Sequence, residues 1–246
     1  MHPDDVDMVL KAADDHVKKQ IPFSLDVRYI CKNSNIKWVL CRGKAIQDKD
    51  GVFRRMIGAH TNITHQKNIE LKLKKLAHYD PVTKLPNRTN FQDEIFKSIK
   101  WHTRFNRKFS LLFIDLDNFK DINDELGHSI GDIFLKRIGR NIKQSIREID
   151  FIARLGGDEF VVLLHNLRSF EEVTNITQRI LQSFNDPIQF NGYSRISSAS
   201  IGIAVFPTDG QNVSTLMKHA DAAMYSAKSK GKNTFCIFTE LLDNKK

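Results

Sequence analysis

Arg154-Leu155-Gly156-Gly157-Asp158-Glu159-Phe160 sits between two apolar runs, Ile149-Asp150-Phe151-Ile152-Ala153 before it and Phe160-Val161-Val162-Leu163-Leu164 after it. Two strand-like runs joined by a Gly-Gly-Asp segment predict a β-hairpin, because paired glycines supply the positive φ of a tight turn. Gly156 and Gly157 also carry no side chain, so a bulky ligand can approach the backbone. Asp158 and Glu159 follow at the tip. Adjacent exposed carboxylates repel each other and add nothing to a turn, so a counter-charge is expected. Mg²⁺ fits, since it takes one or two carboxylates and fills its other positions with phosphate oxygens and water. An ordinary surface turn is the alternative that this stretch alone leaves open.

Working outward, Phe109 to Leu116 is a near-continuous apolar run, as expected of a strand covered on both faces. Asp115 lies inside it, where a carboxylate is costly unless paired or metal-bound. A salt bridge or a metal would each satisfy it. Next comes Phe119-Lys120-Asp121-Ile122-Asn123-Asp124-Glu125-Leu126-Gly127-His128-Ser129-Ile130-Gly131-Asp132. Asn123 and Asp132 offer an amide that can donate or accept and a carboxylate that accepts, groups suited to a hydrogen-bonding ligand. A turn or cap would equally explain Asn123, and a helix-dipole preference Asp132. His128 contacts substrate or only packs. Phe119 and Lys120 follow the acidic strand end, where backbone amides could meet phosphates.

Gly156-Gly157-Asp158-Glu159-Phe160 resembles the signature of the GGDEF family, the diguanylate cyclases, which join two GTP molecules into cyclic di-GMP. Asp80-Pro81-Val82-Thr83-Lys84-Leu85-Pro86-Asn87-Arg88 resembles the family's opening motif, and the resemblance covers residues 79–241. It implies an α/β fold whose central, mostly antiparallel sheet is flanked by helices, like the palm of nucleotidyl cyclases and polymerases. It implies two Mg²⁺ per active site, with Mn²⁺ able to substitute, between Asp115, the Leu116 carbonyl and Asp158. Glu159 stands nearby, and either Asp158 takes the hydroxyl proton as general base or metal activation suffices without it. It assigns Asn123, His128, Asp132, Phe119, Lys120, Gly156, Gly157, Lys228 and Lys232 to GTP. Lys232 often corresponds to Arg in the family, which turns a bidentate grip into a point charge. Arg147-Glu148-Ile149-Asp150 stands at the offset of the family's inhibitory site, so Arg147 and Asp150 are expected to bind cyclic di-GMP as feedback ligand. Each subunit would hold one GTP, so catalysis implies a homodimer facing across a two-fold axis.

The first 64 residues read differently. Val6, Val9, Leu10, Ala13 and Val17 predict a helix over 3–19, and three alternating runs predict an antiparallel meander. Asn33-Ser34-Asn35 and Asp48-Lys49-Asp50-Gly51 mark its turns. His2-Pro3-Asp4-Asp5, Pro22-Phe23, Trp38, Arg42-Gly43, Asp50-Gly51 and Asn62-Ile63-Thr64 resemble the C-terminal half of a PAS sensor domain. Asn62 stands where that family usually has Asp. The first strands and short helices that enclose a PAS ligand are missing from the pattern, so a haem or flavin pocket is not expected. The expectation is a truncated gene or an excised fragment, with an uncovered sheet edge or face that favours pairing with another chain. Residues 65–78 read as a charged linker helix with an apolar seam at Ile69, Leu73 and Leu76, either a signalling helix or a solvated one.

A hydrophobic content of 41% with 17 Phe in 246 residues is enough for packed cores in one large or two small domains. No apolar run is long enough for a membrane span. Three scattered cysteines, Cys31, Cys41 and Cys236, suggest reduced thiols and a cytoplasmic setting. The net charge of +9 fits a nucleotide triphosphate, nucleic acid, an anionic surface or simple solubility. No recognition-helix or stacking-aromatic pattern supports nucleic acid. The rival to a cyclase is a non-enzymatic cyclic di-GMP receptor using only Arg147 and Asp150.

Overall fold

The computed structural model describes residues 1–50, 52–167, 169–190 and 193–243; Gly51, expected in a turn, lies outside them. The chain divides into two compact units, Met1–Lys75 and Leu76–Lys246.

In the first unit a 3-10 turn, Pro3–Asp5, leads into α1 (Val6–Lys19). Three strands follow, β1 (Phe23–Ile30), β2 (Ile36–Gln47) and β3 (Phe53–Asn62), paired antiparallel in sequence order. This is the expected meander. Its core is thin: Val27 and Cys41 are buried, whereas Leu10 on α1 and Ile57 on β3 are exposed. Asp5 takes over part of the anchoring by accepting from the Arg28 amide at 2.7 Å and from the Arg28 guanidinium. That hydrogen-bonded guanidinium holds the Asp5 carboxyl down at about 2. His16 joins α1 to β2, with Nδ1 2.6 Å from the Ile21 carbonyl and Nε2 accepting from the Ala45 amide. Asn62 Oδ1 accepts from the Thr64 amide and hydroxyl, an Asx turn that leads into the next helix. α2 (Thr64–His78) follows, and Ile69, Leu73 and Leu76 are all exposed on it.

The second unit begins in the last turn of α2 and runs through a loop closed by the Tyr79↔Pro86 bridge into α3 (Arg88–Arg104). Asn87 caps α3 through the Asn90 amide. Then come β4 (Phe109–Leu116), α4 (Phe119–Leu126), α5 (His128–Ser145), the hairpin β5 (Phe151–Gly156) and β6 (Glu159–Leu164), and α6 (Phe170–Gln182). A small hairpin, β7 (Ile188–Phe190) with β8 (Tyr193–Arg195), precedes β9 (Ala199–Phe206), α7 (Val213–Ser229), β10 (Thr234–Ile237) and α8 (Phe238–Asp243). The sheet order is β10-β9-β4-β6-β5, and only the β10–β9 pair is parallel.

Every residue of the central strand β4 is buried, and alternation sends its side chains into two separate cores. Leu112, Ile114 and Leu116 meet Phe134, Leu135 and Ile138 of α5. Phe109, Leu111 and Phe113 meet Phe91 and Ile95 of α3 and Leu216, Ala220 and Met224 of α7. Each such side chain contributes roughly 1.5–3 kcal/mol when fully buried. Asp115 continues the second series, so it stands on the α3/α7 face at the open end of the sheet.

Two local expectations shift. The run Ile149–Ala153 is only partly strand: β5 begins at Phe151, and residues 147–150 form a turn closed by the Asp150 amide on the Arg147 carbonyl at 3.1 Å. The run from Ile196 to Phe206, with its small residues, also predicts a strand, which begins at Ala199. Among the described residues, no helix is long and apolar enough to cross a membrane.

Candidate active site

The hairpin tip is shaped by its glycines. Gly156 has φ +145° and Gly157 φ +51°, and a Cβ on either would meet nothing within 4 Å. The left-handed backbone makes the turn, and the empty space above it leaves the main chain open to a ligand. Register then places the acids. Asp115 pairs directly with Glu159 across β4–β6, so both side chains share one face of the sheet. The Leu116 amide donates to the Asp158 carbonyl at 3.3 Å, joining the strand end to the tip.

These acids press on one another. Burial pushes the Asp115 carboxyl up, and the charges of Asp158 and Asp117 add to it, against the opposing pull of Lys228. Burial likewise pushes Glu159 up, reinforced by Asp115 and Asp158 and opposed by Arg88. Lys228 reaches from α7 to Asp115, with Nζ 2.7 Å from Oδ1. Four carboxylates, Asp115, Asp117, Asp158 and Glu159, thus face two cations, the Lys228 ammonium and the Arg88 guanidinium, and the cluster favours further positive charge. Among the described residues no group of three or more His, Cys, Asp or Glu side chains is arranged to hold a metal by itself. Asp115, Asp158 and the Leu116 carbonyl are hard oxygen donors, the kind that Mg²⁺ takes, with phosphate oxygens and water filling its other positions.

The loop after β4 is fixed from the far end of the chain. Asp117 is buried and accepts from the Ser198 and Ser200 hydroxyls and from the Asn233 amide. Asn118, in a left-handed conformation, accepts from Lys232 Nζ at 2.7 Å. Lys228 and Lys232 therefore flank the same strand end. Asn118 makes no side-chain cap on α4, so the first-turn amides at Phe119 and Lys120 receive none from it. Phe119 itself is buried, and its ring packs 6.3 Å from Phe134.

Asn123 on α4 lies over the start of α5. A Cβ on Gly131 would come 2.0 Å from Asn123 Oδ1, so only glycine lets the amide sit there. Asp132 is the next residue, half-buried in the first turns of α5. The Asn123 amide thus lies against the backbone next to Asp132, while His128 is exposed at the head of α5.

The family profile for the diguanylate cyclase GGDEF domain matches residues 77–234, and that for the PAS fold matches residues 1–60. This chain belongs to the GGDEF family. The chain is 42% identical over 167 residues to the bifunctional diguanylate cyclase/cyclic di-GMP phosphodiesterase MucR of Pseudomonas aeruginosa, covering 68% of this chain and 24% of MucR. To the diguanylate cyclase TpbB of the same species it is 40% identical over 159 residues, covering 64% of this chain and 37% of TpbB. It therefore spans well under half the length of these relatives. The crystal structure of the TpbB GGDEF domain matches with a TM-score of 0.62 at 38% identity, over 63% of this chain and 97% of that one. The GGDEF domain of DgcB from Caulobacter crescentus, solved in complex with c-di-GMP, matches with a TM-score of 0.61 at 26% identity, over 66% and 93%.

Within this GGDEF domain, Arg147 and Asp150 lie away from the hairpin tip. They precede β5, whose other end carries Gly156, roughly 17–20 Å along the strand. The Asp150 side chain is fully buried and accepts from the Arg147 amide and guanidinium and from the His165 amide. Arg147 also reaches Glu172 at 2.7 Å and the His165 carbonyl at 2.8 Å. The buried Asp150 partner pushes the Arg147 guanidinium up.

Three residues that sequence reasoning left without a role hold the site in shape. Arg154 is buried, donating to the Gly157 carbonyl at 2.7 Å and to Asp80 at 2.9 Å. Burial works against the Asp80 charge, but the Thr83 hydroxyl and amide and Arg154 hold its carboxyl below the usual range. Arg88 lies 3.6 Å from Glu159 and donates to the Leu155 carbonyl. Asp117 ties two loops together, as above. An arginine inside an apolar run, and a second acid at a strand end, were the available signals, since buried charges need partners.

Proposed function

We propose that the chain is a diguanylate cyclase that condenses two GTP into cyclic di-GMP and two pyrophosphates. The observation that carries this is the pairing of Asp115 with Glu159 beside an open glycine tip, with Lys228 on Asp115. On this reading the carboxylates serve cations, the lysines phosphates and the Asn123/Asp132 pair guanine.

In the reaction the 3′-hydroxyl of one GTP attacks the α-phosphate of the other, forming a P–O bond as pyrophosphate leaves, and a second attack closes the ring. Two Mg²⁺, or Mn²⁺, held by Asp115, the Leu116 carbonyl and Asp158 would polarise the phosphate and lower the pKa of the hydroxyl. Asp158 takes the hydroxyl proton, with Glu159 beside it. Lys228 and Lys232 exchange Asp115 and Asn118 for phosphate oxygens, and the amides at Phe119 and Lys120, with the bare backbone of Gly156 and Gly157, add neutral donors. Asn123 and Asp132 read guanine, and His128 borders the substrate. Each chain presents one GTP, so two chains act across a two-fold axis.

Cyclic di-GMP is also the proposed feedback ligand at Arg147 and Asp150. The DgcB complex supports binding of this dinucleotide within the family. The N-terminal unit acts as a partial PAS sensor (residues 1–64), and 65–78 as a signalling linker to a cyclase domain over 79–241. The deciding experiment incubates the protein with GTP and Mg²⁺ and follows cyclic di-GMP by mass spectrometry alongside pyrophosphate. Failure to form either, with tight cyclic di-GMP binding, would instead make the chain a receptor.

A further inference from the structure

We propose that the cavity between the outer face of α5 and β7 binds a phosphorylated small molecule of mononucleotide size, at a site separate from Asp115 and the hairpin tip. The cavity measures about 380 Å³. Its charged wall is Lys136, Arg137 and Arg140, and its apolar wall is Ile133 with Pro187 and Ile188.

The stripe has no role in packing. α5 sends Phe134, Leu135, Ile138 and Ile142 into the core, and Ile133, Lys136, Arg137 and Arg140 run down its exposed side. Residues three and four apart on a helix are neighbours, so these cations repel one another. The acids do not relieve them. Among the described residues, the ion pairs of this unit belong to Arg88, Lys97, Arg147, Arg154, Arg195 and Lys228. A solvated helix face would explain the charges if it were convex. Here Pro187, Ile188 and Gln189 stand opposite and make it concave.

The chemistry selects the occupant. Two guanidiniums and an ammonium match a phosphate or diphosphate, which Arg grips bidentately. Ile133 is 44% exposed and can cover the apolar body of a base or sugar. Gln189 donates to the Ser194 hydroxyl at 3.1 Å, which leaves its carbonyl oxygen to accept from a ligand. The volume lies within the range of about 300–1,000 Å³ usual for small-molecule sites. A bilayer or duplex would lie across such a hollow and leave the apolar wall uncontacted.

The test is calorimetric titration of the full chain with ADP without Mg²⁺, since adenine does not engage Asn123 and Asp132 as guanine would. Saturable binding is expected, with adenosine inert and pyrophosphate weaker. The double variant Arg137→Ser, Arg140→Ser changes exposed side chains only and should keep its melting temperature. It should bind ADP at least about tenfold more weakly, having lost two charge-assisted contacts. Equal ADP affinity in the variant would overturn the proposal. So would pyrophosphate binding as tightly as ADP, which would leave the apolar wall without a function. Binding to anionic vesicles or duplex DNA with ADP inert would show a macromolecular surface instead.

Discussion

Lys228 holds Asp115, its ammonium 2.7 Å from a carboxylate at the end of a fully buried strand. The lysine comes from the last long helix and the acid from the central strand, so the contact exists only once α7 has docked on the sheet. It balances a charge that burial and two neighbouring acids disfavour.

Lys228→Ala should therefore act in two directions. Without cations the variant leaves Asp115 unpaired and loses about 1–2 kcal/mol, discounted because the lysine is partly exposed. With cations, removal of the competing ammonium should tighten nucleotide-free Mg²⁺ binding while turnover of GTP falls. Thermal melts across a Mg²⁺ series check this. A variant with wild-type Mg²⁺ response would show that the ammonium does not compete for the site.

Asp115→Asn and Asp158→Ala should each lower cyclic di-GMP formation by at least roughly 10³, because several kcal/mol of cation-borne stabilisation are lost. Circular dichroism should stay native. Near-normal rates in either variant would remove these two acids from the cation site.

Gly131→Ala offers a way to disturb guanine recognition without deleting a polar group. The new methyl collides with Asn123 Oδ1 at 2.0 Å and must displace it. A raised KM for GTP and weaker discrimination against ATP are expected, as in Asn123→Ala and Asp132→Ala, because a hydrogen-bonding site rejects analogues through unpaired groups. Comparison of kcat/KM for GTP and ATP decides it; an unchanged ratio in all three variants would move guanine recognition elsewhere.

Arg147→Ala should release feedback and also cost stability. Asp150 has no exposed side-chain surface, so removing its cation leaves a buried carboxylate. The loss should be about 1–2 kcal/mol, reduced by the partial exposure of the arginine. Pyrophosphate release with added cyclic di-GMP reports the first effect and urea denaturation the second. A stability loss with unchanged inhibition would make Arg147 purely structural.

The N-terminal unit should weaken in acid. Asp5 is held down from its ordinary 3.8 to about 2 by Arg28. A lowered carboxyl contributes stability above its unfolded value and loses it as pH falls through the folded one. The contribution should vanish between about 3.8 and about 2. Asp5→Asn should flatten that window in acid unfolding followed by circular dichroism, and an identical acid transition would show that Arg28 is not the anchor.

Much of this molecule was written locally. Gly156 and Gly157 announce the hairpin because no other residue turns so cheaply there, and the apolar run Phe109–Leu116 announces a strand covered on both sides. The motifs around Asp115, Asn123, Asp132 and Asp158 identify the family and the residue types its chemistry needs. Other features depended on register and docking. That Asp115 stands opposite Glu159, that Lys228 and Lys232 reach the same strand end, and that Arg154 pairs with Asp80 all join residues distant in sequence. The turn at 147–150 escaped local reading because Ile149 and Phe151 look like strand, whereas the buried Asp150 carboxylate gathers the Arg147 and His165 amides and bends the chain. Local sequence sets which conformations are cheap and which groups are charged. Only the packed sheet and helices decide which charges meet, because a buried charge takes whichever partner the tertiary structure brings within reach.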